Sequence, residues 1–315
     1  MSSQWKILQL AALKWWDDNA LRLSASLSYY TVFSLAPLLI IIMAIAGMVF
    51  GQDAVEGRLM EEIQGLVGRD SAVAIQSMIQ QARQPHDNRM AATLGLLAMV
   101  ILSTGVFVEL QDALNLIWRI KPQGTSTLRR ILKGRVLSFL LVLGIGFLLM
   151  VSLTWSAVVS AVGRFFTGLL PGPELLLHGI SALVSLGLFT LLFAMMFKIL
   201  PDAFIAWRHV GMGALVTAVL FTIGKAGIGL YLGKTGLASA YGAASSLAVI
   251  LLWVYYSSLI LFFGAEYTYV TAREADAAGA KGAERRSQQR RSADRKPEEH
   301  TQRAGEPNTS AGVKA

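Results

Sequence analysis

The stretch LAVILLWVYYSSLILFFGAEYTYV, residues 247–270, decides the fold. Its first 19 residues, Leu247 to Ala265, carry no charge, and Glu266 follows them. A hydrocarbon core about 30 Å thick requires roughly 20 residues of helix at about 1.5 Å per residue. This stretch is therefore read as a membrane span. Composition extends the reading to the whole chain, whose 315 residues are 54% apolar and only 15% charged. Soluble domains carry about 25% charged residues.

Working outward from residue 247, the same criterion predicts an all-α polytopic membrane protein with six transmembrane helices. The runs are 27–50, 91–117, 136–162, 176–200, 210–232 and 243–270. Ala44-Ile45-Ala46 mimics a signal-peptidase site, but the run before it starts late and exceeds the 7–15 residues of a signal core. It is read as a span. The chain has no cysteine, which excludes thiol nucleophiles, disulfides and iron–sulfur clusters.

Lys and Arg placement sets the expected orientation. Residues 1–26 carry Lys6, Lys14 and Arg22. The connection after the second run carries Arg119, Lys121, Arg129, Arg130, Lys133 and Arg135, and the tail beyond 271 carries ten more. The connections after the third and fifth runs carry only Arg164 and Lys234. Both termini are thus expected on the cytoplasmic side of the membrane. The net charge of +8 is a topology signal. The basic tail lacks the interleaved aromatics of a nucleic-acid surface, so no nucleic-acid partner is expected.

Three further regions flank the spans. Residues 1–26 are expected to form a cytoplasmic interfacial helix, with Trp5, Leu8, Ala12 and Trp15 on one face and Lys6, Lys14, Asp17 and Asp18 facing water. The segment 52–86 is too polar to span. Val55, Leu59, Ile63 and Leu66, then Ile75, Met78, Ile79 and Ala82, predict two short extracytoplasmic amphipathic helices, lying on lipid or capping the bundle. Residues 272–315 are read as a disordered basic cytoplasmic tail, because they have too little apolar surface to bury. The transmembrane domain is bounded at 27–271.

Four blocks, LSYYTVFSLAPLLI (27–40), LQDALNLIW (110–118), LPDAFIAWRHVGMGAL (200–215) and AVILLWVYYSSLILFFGAE (248–266), together resemble the YihY/BrkB family of bacterial inner-membrane proteins. The resemblance covers roughly residues 15–272. It implies six membrane helices with both ends cytoplasmic. It also implies an envelope role, since members are linked to serum resistance, lipopolysaccharide lipid export and solute export. The ribonuclease label that many members carry fits poorly here. Metal-dependent nucleases gather His and Asp around zinc, whereas His86, His178, His209 and His300 lie in four separate segments. No catalytic residue, metal site or cofactor is expected.

Ionisable groups within the spans are few, and their cost in lipid makes each informative. Glu109, Asp112, Lys198, Arg208 and Glu266 all fall toward the cytoplasmic ends of their runs. They predict a polar cluster, read either as an interhelical clamp or as a gate or proton- or ion-coupled vestibule. Lys225 falls in the outer half of its run, in a glycine-rich stretch. With Tyr255 and Tyr256 it marks a candidate substrate path, against the alternative of simple packing and snorkelling. Pro37 predicts a kink, with Ser34 or Thr31 satisfying the freed carbonyl. The expected function is translocation or export of a lipid or small solute, without enzymatic activity, with membrane lipid, including anionic lipid, as partner. The alternative is an envelope structural or interaction protein docking through its outer amphipathic helices.

Overall fold

The computed structural model describes residues 3–82, 89–120, 173–234 and 245–304, together with Gly144, Phe147, Leu148 and Val151. Eight helices carry the described fold: α1 Ser3–Asp17, α2 Ala20–Phe50, α3 Gln52–Val67, α4 Arg69–Ala82, α5 Arg89–Ile117, α6 Pro173–Ile199, α7 Trp207–Lys234 and α8 Ser245–Ala304. The chain divides into two compact units, Met1–Val270 and Thr271–Ala315.

Among the described residues, four helices are long and apolar enough to cross a membrane: Ala20–Ala44, Gly179–Ile199, Trp207–Ile228 and Ser245–Gly279. This corrects the expectation of six. The run predicted at 91–117 folds within α5, which is not one of the four. Its C-terminal part carries Glu109, Gln111, Asp112 and Asn115, so the uncharged part of the run ends at Val108 rather than at 117. The run at 136–162 lies outside the described residues except for the four isolated positions. Leu183, Leu215 and Ile223 stand exposed on the spanning helices, as side chains that meet lipid do.

The helices pack as antiparallel pairs with legible registers. α2 and α5 meet where Ser34 Oγ donates to the Leu102 carbonyl at 2.5 Å. One turn away, Gly105 allows the Tyr30 ring to approach. α6 and α7 join through the short segment 200–206. Between them Phe221 contacts Phe189 at 5.1 Å and Phe193 at 5.6 Å, and Trp253 of α8 closes the aromatic cluster at 6.0 Å. α7 and α8 touch at Gly213 with Thr268, at Thr217 with Gly264 and at Gly224 with Tyr256. Because glycine replaces a side chain at each crossing, the two backbones come close.

α2 runs without interruption through Pro37. The hydroxyls expected to satisfy the freed carbonyl are engaged elsewhere. Thr31 Oγ1 donates to the Leu27 carbonyl at 2.7 Å, and Ser34 donates to α5.

Gly51 and Gly68 begin α3 and α4 with φ of 86° and 85°. Glycine adopts this region without the Cβ clash other residues meet. The two turns fold α3 and α4 back so that Leu59, Val67, Ile75 and Ile79 are buried against Val32, Ala36, Leu39 and Met43 of α2 and Ile250 of α8. The amphipathic stripes therefore cap the bundle. α1 is also packed on the bundle. Ile7 and Ala11 face the core, while Trp5, Leu13 and Trp16 are exposed.

Beyond Val270, α8 remains helical through Ala304, in the segment whose composition led to the expectation of an unfolded tail. Ala, Glu, Arg and Gln dominate this stretch and are strong helix formers.

Candidate functional site

One end of the bundle gathers the start of α2, the ends of α5 and α6, the start of α7 and residues 264–270 of α8. Two tight turns shape it. At the first, α1 ends and Asn19 adopts a left-handed conformation with φ 54°. The Asp18 amide donates to the Lys14 carbonyl at 2.8 Å and the Asn19 amide to the Trp16 carbonyl at 3.0 Å. Asn tolerates this region better than most residues, and the turn carries the Asp18 side chain inward. Asp18, expected to face water, is buried.

The second turn ends α5. The Ile120 amide donates to the Asn115 carbonyl at 2.9 Å and the Arg119 amide to the Leu116 carbonyl at 3.0 Å. This pair of bonds is the Schellman motif, whose left-handed position is usually glycine. Here Arg119 occupies it, with φ 55°, at a conformational cost of about 1–2 kcal/mol. What the arginine achieves in return is visible: its Nη2 lies 2.6 Å from Asp18 Oδ1.

The third side is α8, in which Gly264 to Val270 are all buried. Glu266 is 0% exposed. The Asp18 carboxyl lies against it, and Lys14 and Arg119 are the cations that act on it. Asp18 Oδ2 and both Glu266 carboxyl oxygens are buried without a hydrogen-bond partner, as are Ser24 Oγ and Trp118 Nε1. Around the pair, Trp118 meets Tyr269 edge to face at 5.5 Å, and the Lys14 ammonium stands 5.5 Å from the Tyr269 ring centre. Tyr267 Oη donates to Gln4 Oε1 at 3.0 Å and Trp15 Nε1 donates to the Leu259 carbonyl at 3.1 Å. These contacts fasten α1 to α8.

The remaining predicted residues have other surroundings, and none is among the charged groups acting on Glu266. Lys198 Nζ donates to the Ile205 carbonyl at 2.6 Å and stands 5.5 Å from the Trp207 ring, so it holds the α6–α7 connection. Asp112 and Arg208 are exposed and Glu109 is half-buried. Lys225, Tyr255 and Tyr256 are half-buried, with Tyr256 lying over Gly224 beside Lys225 in sequence.

A second polar contact at the same end was not anticipated. Asn115 Oδ1 accepts from the Asp202 amide at 2.8 Å. The Asp202 carboxylate accepts from Asn115 Nδ2 at 3.1 Å and Gln111 Nε2 at 3.3 Å. This latch ties the α6–α7 connection to α5. Asn115→Ala is expected to weaken it by about 1 kcal/mol. Hydrogen exchange at the Asp202 amide should then accelerate by roughly fivefold, while amides inside α7 stay unchanged.

Among the described residues no group of three or more His, Cys, Asp or Glu side chains is placed to hold a metal ion.

The Virulence factor BrkB family model matches residues 11–289. A UPF0761 membrane protein of Ralstonia nicotianae is 31% identical over 277 residues, covering 83% of this chain and 59% of its own. One from Alkalilimnicola ehrlichii is 29% identical, with 81% and 56% covered. Another, from Rhodospirillum centenum, is 30% identical, with 83% and 56% covered. The chain thus spans under three fifths of the length of these curated relatives. No solved structure matches it.

Proposed function

This chain belongs to the Virulence factor BrkB family of multi-pass membrane proteins, and from that premise we propose that it translocates a lipid or small solute across the bacterial inner membrane. In the proposed orientation both termini face the cytoplasm, which places the Asp18–Glu266 end on that side. The observation that carries the reading is Glu266, a fully buried carboxyl on a membrane-spanning helix with neither oxygen hydrogen-bonded. An ionisable group inside a membrane bundle is costly, and such groups mark substrate or ion pathways. A purely structural clamp would set a hydrogen-bond donor against Glu266, whereas Asp18 brings a second carboxyl.

Lys225 and Tyr256 support a polar route on the α7–α8 face, with Lys225 the group suited to an anionic headgroup or solute. The docking alternative loses its main support, because the apolar stripes of α3 and α4 are turned into the bundle. No thiol or metal cluster supports hydrolysis among the described residues.

Purified full-length protein in liposomes tests the reading. Labelled lipid should redistribute between leaflets, or trapped solute should escape, at a rate well above that of protein-free vesicles. Protein that inserts fully and moves neither class under any ion gradient would refute translocation.

A further inference from the structure

We infer that Asp18 and Glu266 share one proton, and that this carboxyl pair is the proton-binding switch of the bundle. The shared proton stands on the geometry alone. Its use as a switch rests on the translocation reading above.

Hydrogen-bond accounting leads to the proton. Three buried carboxyl oxygens, Asp18 Oδ2 and both of Glu266, have no donor. Arg119 engages only Asp18 Oδ1. The charged and titratable groups facing the pair are few. α1 brings Lys14, whose ammonium stands over the Tyr269 ring. α5 brings Arg119 from its terminal turn. α8 brings Tyr269, and Tyr267, whose hydroxyl is donated to Gln4. A carboxylate only accepts hydrogen bonds, whereas a carboxylic acid also donates one. Two carboxyls side by side therefore pair only when one hydrogen lies between them. A single proton turns two of the three orphan oxygens into donor and acceptor. A metal cation fits less well, since among the described residues no group of three or more His, Cys, Asp or Glu side chains gathers to hold one.

The location gives the proton a mechanical consequence. Asp18 belongs to the α1–α2 turn and Glu266 to α8. With the proton in place, the hydrogen bond draws the turn onto α8. Without it, two like charges face each other away from water, where repulsion is strong, and the turn is driven off α8. The partly exposed Arg119 forms the rim, the side from which water reaches the pair.

The amide variants Asp18→Asn and Glu266→Gln test this, because each supplies an N–H in place of the shared hydrogen and so preserves the contact. Infrared spectra of the full-length protein in lipid nanodiscs at neutral pH should contain a protonated-carboxyl stretch that shifts in heavy water. Either amide variant should lose it, and Asp18→Asn alone suffices if Glu266→Gln fails to assemble. Wild-type protein without the band, or two variants that both retain it, would overturn the shared proton. Loss of the band on adding sodium chloride but not choline chloride would overturn the proton switch in favour of a cation site. In liposomes, wild-type flux should change about tenfold with pH while Glu266→Gln flux stays flat; an unaltered pH profile in Glu266→Gln overturns the switch. A wild-type band without any flux leaves the shared proton standing and removes translocation itself.

Discussion

Gly264→Leu should abolish assembly of α7 against α8 and leave no folded protein to extract in mild detergent. The reason is a reciprocal contact. A Cβ on Gly264 would fall on the Thr217 hydroxyl, and a Cβ on Gly213 would fall on the Thr268 hydroxyl and within 3.3 Å of the Gly264 carbonyl oxygen. Each threonine is held in place by its own helix: Thr217 Oγ1 donates to the Gly213 carbonyl and Thr268 Oγ1 to the Gly264 carbonyl, both at 2.7 Å. The pattern Gly-x-x-x-Thr thus occurs once on each helix, and the two copies interlock. Neither hydroxyl can rotate away without giving up a buried bond, so the clash is not relieved cheaply. Overpacking by one methyl costs about 1–3 kcal/mol in a tight core, so Gly264→Ala should lower the unfolding midpoint measurably. Adding Thr217→Ala removes the hydroxyl and methyl in the way and should recover part of that loss. Unfolding of both variants in detergent, followed by tryptophan fluorescence, checks the prediction. A wild-type midpoint for Gly264→Ala would mean that α7 and α8 are not in this register.

This interlock was only half visible beforehand. The uncharged run from Leu247 to Ala265 declares a membrane helix, and the spacing of Leu59, Ile75 and Ile79 declares amphipathic helices, because both are properties of single segments. The glycine-rich stretch around Lys225 suggested close packing farther along α7, but Gly213 and Gly264 each meet a threonine of the other helix, and only the antiparallel register aligns them. Glu266 announced itself for the same local reason, as a carboxylate ending an apolar run. Its neighbours did not. Asp17-Asp18-Asn19 has the composition of a solvated turn, and Arg119 looked like one more topology charge. Both are brought inward by the α2–α5 register that also joins Ser34 to Leu102. Lys198 was expected near the acids because it shares their level. A flexible lysine takes the nearest strong acceptor, and the Ile205 carbonyl, seven residues on, is closer. The run at 91–117 is too long because its last third, with Glu109 and Asp112, continues the same helix beyond the uncharged stretch.

Arg119 provides the sharpest separation between local strain and site electrostatics. Arg119→Met should destabilise the protein by about 2–3 kcal/mol, because it leaves Asp18 buried beside Glu266 without its cation. A fully buried broken pair costs about 3–5 kcal/mol, and the value here is smaller because Arg119 is 46% exposed. Arg119→Gly should be milder by about 1 kcal/mol, since glycine relieves the left-handed position at the end of α5. The order changes once Asp18 is neutral. In an Asp18→Asn background the arginine loses the carboxylate it touches at 2.6 Å, and its backbone strain weighs more. Arg119→Gly should then be neutral or stabilising, while Arg119→Met stays slightly unfavourable. The four proteins of the Asp18→Asn and Arg119→Gly cycle, compared by unfolding midpoint, measure the coupling directly. Additive effects would mean that the 2.6 Å contact contributes nothing and that Asp18 is held inward by the turn alone. A coupling of about 2 kcal/mol or more would establish that a strained arginine is kept at a glycine position in order to hold the buried carboxyl pair together.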